Sequence, residues 1–184
     1  MPLRVISGKN IVIAAPALGG ATTITNIPLL KQEQTQWCWA TAMQMVFQKY
    51  SDLTTQQCDF SNAAFGNIGC CTTPSSSLCN QPLSIIRISP EWEKYGFSAV
   101  FVNGSIEFSD LQSDINNDCP VEIGFKWKGG GGHAVLAVGW DIIDSVPQVF
   151  IYDPWRGNLT IPYEKVKSAY GEGDWKWSWR NIKK

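Results

Sequence analysis

The chain has 184 residues, a length that fits one domain or a compact pair of half-domains. Hydrophobic residues make up 44% of it and charged residues 17%, which excludes a disordered chain. The formal net charge is −1, and it divides into about +2 over the first 90 residues and about −3 over the rest, so neither half is suited to a polyanion and we expect no nucleic-acid partner. His133 is the one histidine, so any mechanism that needs an imidazole depends on it.

Residues 1–25 are predicted to form an extended arm. Residues 11–30 carry no charge over the length of a membrane span, but their prolines, glycines and threonines lead us to predict no span. Pro16 interrupts the apolar run that a signal peptide needs, so no signal peptide is evident. The segment 17–21 (ALGGA) is interpreted either as an ordinary turn or as a self-processing site after Gly19-Gly20. β-Branched runs within the arm lie at 11–13 and 22–25.

Helical patterns dominate the first half of the chain. Apolar residues at spacings of three and four predict a helix that begins near Trp37 and buries one face. A capping-box pattern at the start of Thr54–Phe65 predicts a second helix there. Gly, Pro, Ser and Asn clusters predict a loop over 66–82. A further capping-box pattern at Ser109–Gln112 predicts a short helix that Pro120 ends.

The second half is rich in β-branched and aromatic residues, in runs separated by Gly, Asp and Pro. Helices followed by an antiparallel sheet define the α+β class. Trp175, Trp177 and Trp179 alternate with polar residues, which predicts three indoles on one face. That face either covers the sheet core, which we favour, or presents an aromatic binding platform. Strands are predicted at Val121–Trp127, His133–Trp140, Val149–Tyr152 and Trp175–Trp179.

Cys38 begins the first predicted helix, where backbone N–H groups and the helix dipole stabilise an anion. This position favours the thiolate, the nucleophilic form of cysteine in covalent catalysis. Gln32, six residues upstream, can direct its side-chain N–H at the oxyanion that develops on an attacked carbonyl, with Gln34 and Gln36 as rival donors. The alternative is that Cys38 is a small buried hydrophobic residue.

His133 and Asp153 are the candidates for the other reacting groups. Four glycines at 129–132 leave open space beside the imidazole for a substrate backbone. Asp153 ends a predicted strand and can orient the imidazole from a neighbouring strand, with Trp155 shielding that hydrogen bond from water. Each has a plain alternative: a structural histidine at the start of a strand, and an Asp-Pro turn.

Three blocks together resemble the papain-like cysteine peptidases over about residues 26–165. The blocks are Gln32…Cys38-Trp39-Ala40, Gly132-His133-Ala134 and Asp153-Pro154-Trp155. The aspartate in the third block resembles two bacterial branches: secreted effector proteases with a Trp-Cys-Trp-Ala motif, and the double-glycine leader peptidases of bacteriocin exporters.

The resemblance implies one catalytic domain over 26–184, with a helical lobe over about 30–118, a sheet lobe over about 119–184 and the active-site cleft between them. It also implies the roles of four residues. Cys38 would attack the scissile carbonyl, His133 would pair with its thiolate and protonate the leaving amine, Asp153 would hold the imidazole, and Gln32 would complete the oxyanion hole with the Cys38 backbone N–H.

Four further cysteines, Cys58, Cys70, Cys71 and Cys79, lie close together in the second helix and the loop after it. Two disulfides, which imply an oxidising destination, are the simpler interpretation. A bond between the vicinal Cys70 and Cys71 would be strained, so each is expected to pair with Cys58 or Cys79. Zinc is the rival interpretation, but the spacing lacks a C-x2-C pair. Cys119 is predicted to be a buried free thiol.

These observations predict a cysteine endopeptidase, a bacterial effector or toxin that is secreted or delivered into a target cell, with no cofactor and no metal. Its expected partners are a protein or peptide substrate and an inhibitor or immunity protein. Two alternatives stay open. One is a deamidase or transglutaminase-like toxin that uses the same triad, and the other is a catalytically inactive binding module stapled by disulfides.

Overall fold

A computed structural model describes residues 20–184, which form five α-helices, seven β-strands and one 3₁₀ turn. The helices are α1 (Cys38–Lys49), α2 (Gln57–Phe65), α3 (Ile85–Lys94), α4 (Phe108–Asn116) and α5 (Tyr163–Lys167). The strands are β1 (Thr22–Thr23), β2 (Ser98–Val102), β3 (Val121–Trp127), β4 (Gly132–Ile143), β5 (Val146–Asp153), β6 (Gly157–Pro162) and β7 (Gly173–Lys183). The 3₁₀ turn, Ala169–Gly171, lies between α5 and β7.

The strands form one antiparallel sheet in the order β2-β7-β3-β4-β5-β6, and β1 pairs with β4. Tight turns set the register of its central strands. Asp144 and Ser145, both with positive φ, join β4 to β5, while Gly130 and Gly131, with φ of 92° and 77°, turn the chain from β3 into β4. Helices covering a single antiparallel sheet confirm the predicted α+β class.

α1 lies at the centre of the molecule. Residues 39–47 are all buried, so the helix is enclosed on every side rather than on the one face that its apolar stripe predicted. Its two buried polar side chains, those of Thr41 and Gln44, form hydrogen bonds with Gln57 of α2. The Thr41 hydroxyl donates to Gln57 Oε1, and Gln57 Nε2 donates to Gln44 Oε1. α1 packs against β4, which fixes the start of the helix relative to the sheet.

Two helices begin at residues other than those predicted. The first residue of α2 follows Gln56, whose backbone N–H donates to the Asp59 carboxylate at 2.9 Å, so Thr54 is not the cap. α4 begins at Phe108, which places the predicted cap Ser109 inside the helix. Local patterns located both helices but not their first residues. α2 begins after the extended residue Gln56, whose N–H is bound by Asp59, and α4 begins after the extended residue Glu107.

The sequence patterns did not predict four of the elements, which are α3, β2, β6 and α5. α3 carries Pro90 in its interior, which obscures a helical pattern even though Ile88 and Trp92 are buried at a spacing of four. β2 comes from the predicted helical lobe (about 30–118) but pairs with β7 at the edge of the sheet. The lobe boundary near residue 119 stays a prediction.

The three tryptophans of β7 do not share one face, so that prediction was wrong. Gly124 of β3 pairs with Trp177, and the next residue, Phe125, pairs with Trp175, so Lys176 forms a β-bulge. Because adjacent residues of a strand point to opposite faces, the indole of Trp175 lies on the face opposite that of Trp177. All three tryptophans are buried or half-buried, as expected for side chains that cover the sheet.

Within residues 20–184, no helix combines the length and the hydropathy that crossing a membrane requires. The predicted extended run at 11–13 and Gly19 of the possible processing site lie outside the described residues. The run at 22–25 contributes β1, whose two residues pair with Gly139 and Trp140 of β4.

Candidate active site

Cys38 is the first residue of α1. The carbonyl of Trp37, the residue before it, accepts the first hydrogen bond of the helix from the Thr41 N–H at 2.9 Å. The Cys38 N–H precedes that bond and has no backbone acceptor within residues 20–184. The thiol is free and half-buried. A carbonyl oxygen of a substrate over this thiol would meet an unpaired N–H and the positive end of the helix dipole.

The chain just upstream of α1 is held by residues 66–82, which we call the stapled loop. The Trp37 indole Nε1–H donates to the carbonyl of Cys79 at 2.8 Å. The Gln36 backbone N–H donates to Asn80 Oδ1 at 2.9 Å. These contacts join the approach to the nucleophile directly to the loop.

Two disulfides close the stapled loop, Cys58–Cys71 and Cys70–Cys79. The predicted pair of disulfides is confirmed, and each vicinal cysteine bonds to a partner outside the vicinal pair. The four sulfurs that a zinc site would have used are all in these bonds. Cys119 is free and buried, as predicted, and burial raises the pKa of its thiol.

His133 and Asp153 meet across β4 and β5. The two strands run antiparallel with Leu136 opposite Tyr152, which brings the start of β4 beside the end of β5. The His133 Nε2 lies 2.8 Å from Asp153 Oδ1. Since Nε2 is engaged there, Nδ1 is the ring nitrogen left for Cys38, which lines the same cavity.

The Asp153 side chain is completely buried and accepts four hydrogen bonds. Besides His133, its Oδ1 accepts from the backbone N–H groups of Trp155 and Arg156 at 2.8 and 3.0 Å. Its Oδ2 accepts from the Tyr170 hydroxyl at 3.2 Å. These donors stabilise the carboxylate away from water and fix its orientation. Sequence reasoning missed Tyr170, because no local pattern connects it with the strand end.

The imidazole is held in its charged form. Burial lowers the pKa of His133, but the hydrogen bonds with Asp153 and Cys38 and their negative charges outweigh burial and raise it to about 9. The effect on the partner is complementary. Burial raises the pKa of Asp153, while the bond from His133 and the two backbone N–H groups lower it below its ordinary value. The cavity therefore holds an imidazolium beside Cys38 at neutral pH.

A tryptophan other than the one expected covers the imidazole. Trp127, the last residue of β3, stacks on the His133 ring with the centroids 5.9 Å apart and the planes 22° apart. The Trp155 side chain, predicted to shield the hydrogen bond, is 60% exposed and lines adjacent grooves. Trp127 thus supplies much of the apolar cover that leaves the His133 side chain 9% exposed.

Gln32 lies beside the turn that follows Asp153, with its side chain partly engaged. Its backbone N–H donates to the Pro154 carbonyl at 3.1 Å, and its Nε2 donates to the Gln34 carbonyl at 2.8 Å. One hydrogen of Nε2 stays available, while Oε1 is buried with no partner among the described residues. Gln36, the rival donor, lines the cavity of the nucleophile, whereas Gln32 lines a neighbouring groove. The oxyanion role of Gln32 stays a prediction.

Cys38 and the His133 imidazole open onto a cavity of about 380 Å³. On one side lie the start of α1 and residues 82–85, and on the other lie residues 131–134 of the β3–β4 turn and β4. Side chains of β3 and β7 form its inner wall. The cavity is large enough for a peptide segment with one side chain turned inward.

Comparison with known proteins identifies the family. The model of the Peptidase_C39 like family matches residues 24–184. The chain belongs to this family. It is a papain-like cysteine peptidase, and the resemblance drawn from the three sequence blocks is confirmed. No curated protein matches the chain.

Solved structures share the fold at low sequence identity. The peptidase domain of Streptococcus ComA, a bi-functional ABC transporter involved in quorum sensing, is 15% identical with a TM-score of 0.54, over 83% of this chain and 96% of that one. UfSP from C. elegans is 12% identical with a TM-score of 0.54, over 94% of this chain and 36% of that one. Procathepsin L 3 of Tenebrio molitor is 10% identical with a TM-score of 0.53, over 92% of this chain and 72% of that one.

Asp153→Asn should move the alkaline limit of activity to lower pH. The wild-type imidazolium persists until the pH approaches its raised pKa of about 9, and removing the neighbouring negative charge lowers that pKa. The measurement is the second-order rate of inactivation by the epoxysuccinyl inhibitor E-64 between pH 5 and 10. Asp141→Asn, a change on β4 away from the triad, is the control. An unchanged alkaline limit would contradict the assignment of Asp153.

Tyr170→Phe should reduce kcat about tenfold and leave KM nearly unchanged, because it deletes one hydrogen bond to a charged group that orients the imidazole. Tyr170 touches Asp153 rather than the cavity, so it acts as a positioning residue. Steady-state kinetics and the pH profile check this. A rise in KM alone would show that the hydroxyl serves substrate binding instead.

The two disulfides should differ in their effect on catalysis. Removing either should cost about 2–4 kcal/mol of unfolding free energy, since they span similar separations of 13 and 9 residues. Cys70→Ala/Cys79→Ala should also lower kcat, because the Cys79 carbonyl holds Trp37. Cys58→Ala/Cys71→Ala is the matched control. Urea unfolding and kcat, measured where both variants are folded, separate the effects, and equal losses of kcat would contradict this role.

Proposed function

We propose that the chain is an endopeptidase that hydrolyses peptide bonds through an acyl-thioenzyme. One observation carries the proposal. A free thiol at the start of a buried helix shares a cavity with an imidazole that a fully buried carboxylate holds in its charged form. This set of groups supplies a nucleophile, a proton donor and an unpaired N–H for the oxyanion, which acyl transfer requires.

In the first half-reaction, the Cys38 thiolate attacks the scissile carbonyl carbon and the carbonyl oxygen becomes an oxyanion. The Cys38 N–H, with Gln32 or Gln36, donates to that oxygen. The C–N bond breaks as His133 Nδ1 transfers its proton to the departing amine. Asp153 keeps Nε2 engaged, so the proton that moves is the one on Nδ1.

In the second half-reaction, the now neutral His133 accepts a proton from a water molecule, which attacks the thioester carbonyl. The C–S bond then breaks, so the acyl group departs as the carboxylic acid, and the Cys38 thiolate and the imidazolium are restored. Protons balance over the cycle, since the one given to the amine is replaced by the one taken from water.

We propose that the enzyme works outside the reducing cytosol or after delivery from it, as a bacterial effector or toxin. The two disulfides support an oxidising compartment. An inhibitor or immunity protein that covers the cavity would protect the producing cell. The arm over 1–25 and a single catalytic domain over 26–184 complete the proposed organisation.

Intact-protein mass spectrometry after treatment with E-64 tests the nucleophile. We expect one adduct on wild type and none on Cys38→Ala. Cys119→Ala should be labelled like wild type, because the Cys119 thiol is buried, has a raised pKa and should not react. Absence of the adduct on wild type would favour the alternative of an inactive binding module.

A second measurement separates peptide hydrolysis from the deamidase alternative, since both share the first chemical step. Protein substrates are incubated with wild type and with Cys38→Ala and then weighed. Cut chains that depend on Cys38 support the endopeptidase. A gain of about one dalton on intact chains, with no cleavage, would overturn it in favour of side-chain amide chemistry.

A further inference from the structure

Glu122 is a second buried carboxyl group at the active site, and the triad chemistry does not use it. It lies on β3, is fully buried, and lines the same cavity as Cys38 and His133. Within the strand it interrupts an apolar run, with Val121 and Ile123 buried on either side. A carboxyl group in such a position needs partners for both oxygens.

The fold supplies a partner for one oxygen only. Glu122 Oε2 accepts from the Trp92 indole Nε1–H of α3 at 2.8 Å. Oε1 is buried and accepts no hydrogen bond from any residue that the structure describes. Burial raises the pKa of this carboxyl to about 7, against the opposite effect of the Trp92 N–H. The group thus carries an unused acceptor beside the cavity.

Most of the pocket around Glu122 is apolar or aromatic. Gly124 leaves room for the Trp177 indole, whose Cε3 would lie 3.1 Å from a Cβ at that position. The ionisable side chains that line the cavity are Cys38, His133 and Glu122. The apolar wall of this pocket includes Leu83, Ile85, Ile88, Ala134, Trp177 and Trp179, and Thr35, Gln36 and Ser84 are neutral polar residues of the lining.

We propose that this pocket binds one side chain of the substrate, close to the scissile bond, and selects lysine or arginine there. The aliphatic stem of such a side chain would lie along the apolar wall, and its cationic end would donate to Glu122 Oε1. The indoles of Trp177 and Trp179 line the same pocket. This inference names the substrate class of the proposed endopeptidase and therefore rests on that function.

Binding is tested first without catalysis. Cys38→Ala is titrated with n-butylammonium, which mimics a lysine side chain, and with n-butanol as its neutral counterpart. The reporter is the Nε1–H resonance of Trp92, assigned with Trp92→Phe. We expect a saturable shift with n-butylammonium and none with n-butanol. No saturable shift, or equal shifts with both probes, overturns the proposal whether or not the protein cleaves peptides.

The variant Glu122→Gln removes the negative charge and keeps an oxygen for the Trp92 N–H, so the fold should persist. It should abolish the shift caused by n-butylammonium. Glu91→Gln is the matched control, because Glu91 is also a buried glutamate, on α3, but does not line the cavity. A lost shift in both variants would show that the effect is structural and would overturn the role of Glu122.

Cleavage then tests selectivity. Wild type is profiled on a proteome-derived peptide library, and the best sequence is remade with lysine replaced by norleucine. We expect kcat/KM to favour lysine over norleucine about tenfold or more in wild type, and nearly equal values in Glu122→Gln. Cleavage with no basic preference overturns the pocket assignment alone. An absence of cleavage, with the n-butylammonium shift present, overturns the endopeptidase and retains the cation pocket.

Discussion

The Asp153 carboxylate has no exposure to water, and this burial is the constraint on which the position of the His133 imidazole depends. An unpaired charge in that position would be too costly to keep, so the surrounding chain must bring donors to both oxygens. They come from three places: the start of β4, the turn after β5, and Tyr170 in its left-handed conformation with φ of 62°. Satisfying the carboxylate therefore also orients the His133 ring and presents Nδ1 to the cavity.

Cys38, the proposed nucleophile, is positioned by different means. Cys38 gains its place from a helix start, which needs no tertiary contact to present a free N–H. The residues before it are long-range partners of the stapled loop, through Trp37 and Gln36. Packing of α1 against β4 then fixes Cys38 relative to His133, because β4 carries His133. The distance between thiol and imidazole thus depends on the core, and changes far from the cavity that shift α1 on β4 should reach catalysis.

Local signals in the sequence predicted the elements and the residues whose chemistry is visible nearby. The four β-rich runs became strands, and the thiol at a helix start was evident from its neighbours. The bulge at Lys176 was not, because it arises from the pairing of β7 with β3. Nor was Tyr170, whose hydroxyl reaches a strand end that lies far from it in sequence. Both depend on contacts between distant segments, which one-dimensional patterns do not encode.

Glu122 extends the same reasoning from the reaction to the substrate. An indole N–H such as that of Trp92 needs one acceptor, which a neutral amide or hydroxyl oxygen supplies at a smaller desolvation cost than a carboxyl group. A purely structural role thus leaves both the acid and its unpartnered Oε1 unexplained. A cationic side chain explains both, since it would fill the unused acceptor and stabilise the ionised form of a group whose pKa burial holds at about 7. Substrate binding would then complete the hydrogen bonding that the fold leaves open at Oε1.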